Sequence, residues 1–293
     1  MISSGRSSSS DVPLHVVRNA FIGQLDNAER GFRRKIISDE SIHRIRQELK
    51  RARATLRLLR PSLGAVEFNR ENLAVRDVAR ALTPVRDAKV LLHTLTLVNR
   101  GRDGAKLKAL YRELRRLLLQ ECRERRKEMR RERMLAAAET LRNAAGRAET
   151  FAHMLPNRLA LDGALGRVFK SGKKSLARVR RDPADANLHE WRKQVQYLFN
   201  QLDVLHRLGV PGLRRTRERA RRLAEILGSD HDLAVLSRKI AEFSEHGLLA
   251  SGLATIRKQR TRTNRHRSAL QLKALRLGRR LYSFSAKRFE GLR

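Results

Sequence analysis

Residues 41–61 read SIHRIRQELKRARATLRLLRP, and two stripes run through them side by side. An α-helix turns about every 3.6 residues, which brings side chains three and four positions apart onto one face. Ile42, Ile45, Leu49, Ala52, Leu56 and Leu59 fall on such a face, and the residue after each is His43, Arg46, Lys50, Arg53, Arg57 or Arg60. The apolar stripe predicts a helix packed on a core. The basic stripe beside it costs a few tenths of a kcal/mol per like-charge pair, a sign that an anionic partner reverses. Glu48 is the only acid between His43 and Arg60, whereas a face decorated for solubility interleaves acids at i, i+4. Successive stripe residues climb roughly 5 Å along the axis. That spacing follows a chain of phosphates, for which Arg supplies forked donors and Lys a mobile point charge.

The same helical spacing recurs nearly everywhere, with no run of alternating β-branched residues, so the chain reads as all-α. Breaks are expected at SDES (38–41), PSLGA (61–65), NRGRDG (99–104), LPNR (155–158), RRDPADAN (180–187) and GVPG (209–212), which carry Pro, Gly or capping residues. The 293 residues, 41% of them apolar, suffice for one large domain or two small ones. No run approaches the roughly 18 apolar residues of a membrane span. The opening MISSGRSSSS has no apolar core of a secretory signal, and residues 1–11 read as a disordered tail. A single cysteine, Cys122, excludes an intrachain disulfide framework and a Cys-rich metal site. These features predict a cytoplasmic protein. A net charge of +36 exceeds what solubility requires and points to a polyanion: nucleic acid, an anionic membrane surface or a polymeric phosphate. Aromatics at 4% provide few platforms for stacking unpaired bases.

The chain also repeats itself. SIHRIRQELKRARATLRLL lies over NLHEWRKQVQYLFNQLDVL at an offset of 146 residues, with Leu188, Trp191, Val195, Leu198, Leu202 and Leu205 on the apolar positions, His189 under His43 and Arg192 under Arg46. ALTPVRDAKVLL lies over ILGSDHDLAVLS at an offset of 145, matching Asp87 with Asp232. Two segments in the same order at nearly the same separation imply two related halves, 12–150 and 159–290, each a helical bundle.

At these residues the sequence resembles the CHAD family, named for a helical domain with characteristic histidines. The first half carries the family's H-x-x-R-x-x-x-R-R-x-R pattern as His43, Arg46, Lys50, Arg51 and Arg53, with Lys at one Arg position; the second reads HEWRKQVQYL from His189, with Gln196 where Lys is usual. VRDAKVL and LGSDHDLAVL match the downstream segments, and Thr83-Pro84 replaces the usual Gly region. The resemblance spans about 280 residues. It implies two helical bundles related by a pseudo-twofold axis around a basic groove or pore. It also implies non-hydrolytic binding of inorganic polyphosphate, often at polyphosphate granules.

The candidate contacts follow. His43, Arg46, Lys50, Arg51, Arg53 and Arg57 form the first set; His189, Arg192 and Lys193 are its thinner counterpart, because Gln196, Phe199, Asp203 and His206 occupy the later positions. The two histidines have a satisfied core or capping role as the competing explanation, and neither has a ligand at metal spacing. Asp87 and Asp232 are expected in the first turn of their helices, behind Thr83-Pro84 and Ser229, as caps. Arg76, Arg80, Arg221 and Arg222 precede them as further candidates. Lys258, Arg262 and Arg265 lie in the acid-free RKQRTRTNRHR, and Lys170, Lys173 and Lys174 flank Gly172. RRKEMRRER interleaves glutamate and reads as a solvated face. No P-loop, Ser-His-Asp order or carboxylate cluster for Mg²⁺ is evident, so the expectation is a binding protein without cofactor or catalysis, with sequence-nonspecific nucleic-acid binding as the alternative.

Overall fold

The structure, a computed structural model, describes residues 13–100, 104–151 and 161–284. Among these residues there are nine α-helices and no strand: α1 (Leu14–Arg33), α2 (Asp39–Ala81), α3 (Thr83–Val98), α4 (Ala105–Lys127), α5 (Arg131–Glu149), α6 (Leu161–Arg181), α7 (Asp185–Arg207), α8 (Arg214–Glu245) and α9 (Leu253–Leu281). The expected tail at 1–11 and the break at 155–158 lie outside the described residues. No helix of the described residues is long and apolar enough to cross a membrane.

Helix α2 starts where SDES predicts. The Ser38 hydroxyl accepts the Ser41 N–H at 3.1 Å, and Asp39 and Glu40 place negative charge in the first turn, which satisfies free N–H groups and complements the helix dipole. The PSLGA break is a fold-back rather than a loop. The chain stays helical through Pro61 and reverses at Gly64, whose φ of 79° and ψ of 175° suit a residue without Cβ. The second arm, 65–81, returns beside the first: Arg53 reaches Asn72 Oδ1 at 3.2 Å and Arg46 reaches the Ala79 carbonyl at 3.3 Å.

One expected helix start is corrected. Asp87 lies in the second turn of α3, whose first turn holds no acid and whose N-terminus has no side-chain cap, and Asp232 stands in the middle of α8, which runs unbroken through Gly228-Ser229. A lone glycine costs a helix only about 1 kcal/mol, and the buried Leu223, Leu227, Leu233 and Leu236 hold the helical register across it. Ser229 does not cap; its hydroxyl donates to the Glu225 carbonyl at 3.0 Å within the helix. In the first half, Pro84 lacks the N–H that continuation needs, and α2 ends. Two turns, 128–130 and 246–252, carry no expected break. RRKEMRRER straddles the α4–α5 turn and is mostly solvated as expected, with Lys127, Glu128 and residues 130–133 exposed. Arg131 donates to the carbonyls of Phe32, Arg34 and Arg33 at 3.2, 2.8 and 3.0 Å, covering the open carbonyl end of α1.

Two hydrophobic cores hold the helices. The larger includes Phe21, Leu49 and Leu141 from the first half and Phe169, Trp191 and Leu202 from the second. The smaller joins Leu91 and Leu95 of α3 and Leu110 and Leu114 of α4 to Leu236 and Ile240 of α8 and Ile256 of α9. Both draw on both halves, and this shared packing brings α2 against α7 and α3 against α8. Gly278 of α9 permits one close approach, since a Cβ there would stand 2.6 Å from the Trp191 ring. Trp191 is thereby buried, and the following Arg192 and Lys193 turn toward α2.

Candidate polyanion-binding groove

Where α7 crosses α2, the two repeats enclose a groove of about 330 Å³. The first arm of α2 contributes Arg46, Lys50, Arg53 and Arg57, its second arm Arg76 and Arg80, and α7 Arg192 and Lys193. These eight come from the sequence-derived candidates. Tyr197, Asn200, Gln196, Thr83, Leu49 and Ala79 complete the wall.

Five of the cations have no carboxylate within ion-pair distance among the described residues: Arg46, Lys50, Arg53, Arg57 and Arg192. Neutral groups orient them instead. Arg46 donates to Thr83 Oγ1 at 3.0 Å. Arg57 donates to the Arg53 carbonyl at 2.9 Å and lies over the Tyr197 ring, 4.1 Å from its centroid. Arg192 keeps a buried Nε without any partner. Lys50 is open to the water of the groove but walled by protein. That enclosure first, and then the fields of Arg46, Arg86 and Arg192, pushes its ammonium down to about 8, with Asp232 opposing. Arg57 is depressed to about 10 by burial, Arg53 and Arg60, with Tyr197 opposing. Burial likewise lowers Arg46 and Arg192. Positive charge has been gathered here faster than protein carboxylates neutralise it, and an anion entering the groove relieves all of these groups together.

The other candidates lie elsewhere. Arg51 pairs with Glu48 at 2.5 Å and approaches Asp203 at 3.7 Å. Arg221 and Arg222 both engage Glu218, at 2.7 and 2.8 Å. Lys170, Lys173 and Lys174 are exposed on α6, and Lys258 and Arg265 on α9, while Arg262 donates to the Arg100 carbonyl at 3.4 Å; none of the six lines the groove. Arg60, in the original stripe, leaves it to lie over Phe68.

His43 and His189 occupy two side pockets related by the repeat. His43 shares one with Asp39, Arg86 and His93; His189 shares the other with Asp185, His231 and Arg238, which are the equivalent positions. The rings of His189 and His231 lie 5.3 Å apart. Burial and then Arg192 bring His231 down to about 4, and burial with Arg192 and Lys193 lowers His189. Among the described residues no group of three or more His, Cys, Asp or Glu is arranged to hold a metal.

Sequence reasoning did not assign Tyr197 and Asn200. They lie one position around α7 from the stripe obtained by copying α2 through the repeat, because α7 meets the groove slightly rotated. The quoted HEWRKQVQYL contained Tyr197, but nothing in its spacing marked it as facing a cation.

The model of the CHAD domain matches residues 18–241. The chain belongs to the CHAD family. Its fold is similar to the CHAD domain from the plant Ricinus communis, with a TM-score of 0.70 at 20% identity over 98% of this chain and 97% of that one. PptA from Streptomyces chartreusis matches with a TM-score of 0.63 at 14% identity, over 93% and 99% of the two chains. No curated protein matches. At these identities the CHAD likeness establishes a shared helical architecture, and the groove's chemistry rests on this chain's own residues.

Proposed function

We propose that the groove binds inorganic polyphosphate without hydrolysing it, and that this binding attaches the protein to polyphosphate granules. The supporting observation is the convergence of Arg46, Lys50, Arg53, Arg57 and Arg192 on one cavity with no carboxylate partner among the described residues. From Arg46 to Arg57 the stripe rises about 16 Å along α2, enough to follow several phosphates. Each contact is weak alone. Affinity comes from counterion release and from many contacts on one tether, so it falls steeply with salt and rises with polymer length. Membership of the CHAD family agrees with a polyanion as ligand.

Nucleic acid answers to the same electrostatics, but a groove of about 330 Å³ is small beside a DNA duplex, and aromatics at 4% of the chain offer little on which unpaired bases could stack. Calorimetric titration with orthophosphate, tripolyphosphate and long-chain polyphosphate at about 150 mM salt, where exposed charges are strongly screened, tests the proposal. It requires affinity to climb along that series, with duplex DNA failing to displace the long polymer and no orthophosphate released. Equal affinity for tripolyphosphate and the long polymer, or displacement by the duplex, removes it.

A further inference from the structure

Between Gly163 and Arg181, α6 carries seven lysines and arginines and no acid. Arg167, Lys170, Lys174, Arg178 and Arg181 recur at spacings of three, four, four and three residues, which stacks them in a single stripe about 21 Å long. All five are exposed, and among the described residues none pairs with a carboxylate. The other side of the helix packs inward through Leu165, Phe169, Leu176 and Val179. None of the stripe lines the groove.

The fold does not require this stripe. Aligning the core positions Val17, Phe21 and Ala28 of α1 with Leu165, Phe169 and Leu176 of α6 puts Asn19, Ile22, Asp26, Arg30 and Arg33 at the stripe positions. There Arg33 is engaged by Glu29 and Glu139, and α5 covers α1. Helix α9 is also acid-free but differs in use. Arg267 is held by Asp185 and Asp230, Arg262 donates to a backbone carbonyl, and the exposed face is interrupted by Ala269 and Leu272. The α6 series is therefore unneutralised and unbroken, and repulsion at these spacings works against the helix that bears it.

We propose that this outer face of α6 is a second polyanion-binding surface, distinct from the groove, that docks the phosphate backbone of duplex nucleic acid without reading its sequence. The stripe is exposed along its whole length and so is open to a bulky duplex. Counting both strands, duplex DNA presents a phosphate about every 1.7 Å of axis, and the stripe meets those on the side of the duplex that faces it. No Asn, Gln or aromatic side chain is exposed on it, so it lacks the usual readers of adenine and any stacking platform, and its arginines and lysines suit phosphate oxygens. With its apolar residues turned into the core, α6 has nothing to insert into a bilayer. The inference stands whether or not the groove binds polyphosphate.

The test is fluorescence anisotropy with a labelled duplex of about 20 base pairs, in which four neutralised phosphates predict a roughly 100-fold loss of affinity between 50 and 200 mM salt. Replacing Arg167, Lys170, Lys174, Arg178 and Arg181 by Gln should weaken duplex binding at low salt at least about 100-fold and reduce the log–log salt slope by about 4, with helical content and polyphosphate affinity retained. The pair Lys170→Glu and Lys174→Glu should reproduce the loss in a less altered chain. Substituting groove residues Lys50, Arg53 and Arg57 by Gln should leave duplex binding in place. Duplex affinity unchanged in both α6 variants, or lost only in the groove variant, overturns the proposal. So does binding of phosphatidylserine vesicles, but not duplex, through α6.

Discussion

Helices α2 and α7 are copies of one sequence pattern, and they differ in what charge does on them. Along α2 the repeat positions read Arg46, Lys50, Arg53 and Arg57; along α7 they read Arg192, Gln196, Phe199 and Asp203. The first four all reach the groove. On α7 only the first two do, Phe199 packs against the larger core, and Asp203 is buried. Burial pushes the Asp203 carboxyl up, but Arg217 and Arg207 outweigh it and hold it below its ordinary range. Asp203 gathers Arg217 at 2.6 Å, Arg207 at 3.0 Å and Arg51 at 3.7 Å, tying α2, α7 and α8 together. A carboxylate at this position converts a stretch of binding face into an anchor. The shared scaffold thus permits one copy to present cations while the other holds the halves in place.

The largest test of that division replaces Arg46, Lys50, Arg53 and Arg57 by Gln together. We expect the salt slope of polyphosphate binding to fall by about 3 and affinity near 150 mM salt to fall at least about 100-fold, with the helical circular-dichroism signal intact. The matching pair on α7, Arg192→Gln with Lys193→Gln, should cost only about tenfold, because Lys193 is partly spent on Glu190 at 2.8 Å. Equal losses on the two sides would erase the comparison.

Acidity sharpens it further. Lys50 has no cationic counterpart on α7, and its ammonium near 8 titrates in an accessible range. A bound polyanion raises that value, so binding takes up a proton and affinity should drop up to about tenfold from pH 7 to pH 9. The free protein responds oppositely. The unfolded chain holds this proton up to the ordinary lysine value of 10.5, so the Lys50 contribution to folding stability rises between about pH 8 and 10.5. Lys50→Arg should flatten the affinity profile in the same titrations; an unchanged slope would assign the proton to another group.

The helical fold was legible because apolar spacing and turn residues are local signals. So was most of the groove, since Arg46, Lys50, Arg53 and Arg57 announce themselves as a stripe with Glu48 their only acid. The repeat located Arg192 as well. What stayed hidden depends on contacts distant in sequence. The pairs of Arg51 with Glu48 and of Arg221 with Glu218 stand three residues apart and could be read from helix spacing, but the approach of Arg51 to Asp203, which joins α2 to α7, cannot be seen in a list of cations. The unbroken passage of α8 through Gly228-Ser229 depends on leucines packing on both sides of the glycine. The side on which α7 meets α2, which brings in Tyr197 and Asn200, is set by how the helices cross.

The smallest expected effect concerns the histidines, the most visible marks of the repeat. His43 and His189 match in sequence and in the pockets they occupy, yet neither lines the groove. His43 is bonded to Gln47 at 2.7 Å, while His189 faces His231 under conditions that disfavour a positive imidazole. Neither ring lines the groove, so His43→Ala and His189→Ala should each change polyphosphate affinity less than about threefold and leave its salt slope unaltered. A loss comparable to that of the α2 quartet would require the polymer to run past Arg192 into the side pockets. The equivalence of His43 with His189 would then be functional, and the asymmetry between α2 and α7 confined to the mouth of a longer path.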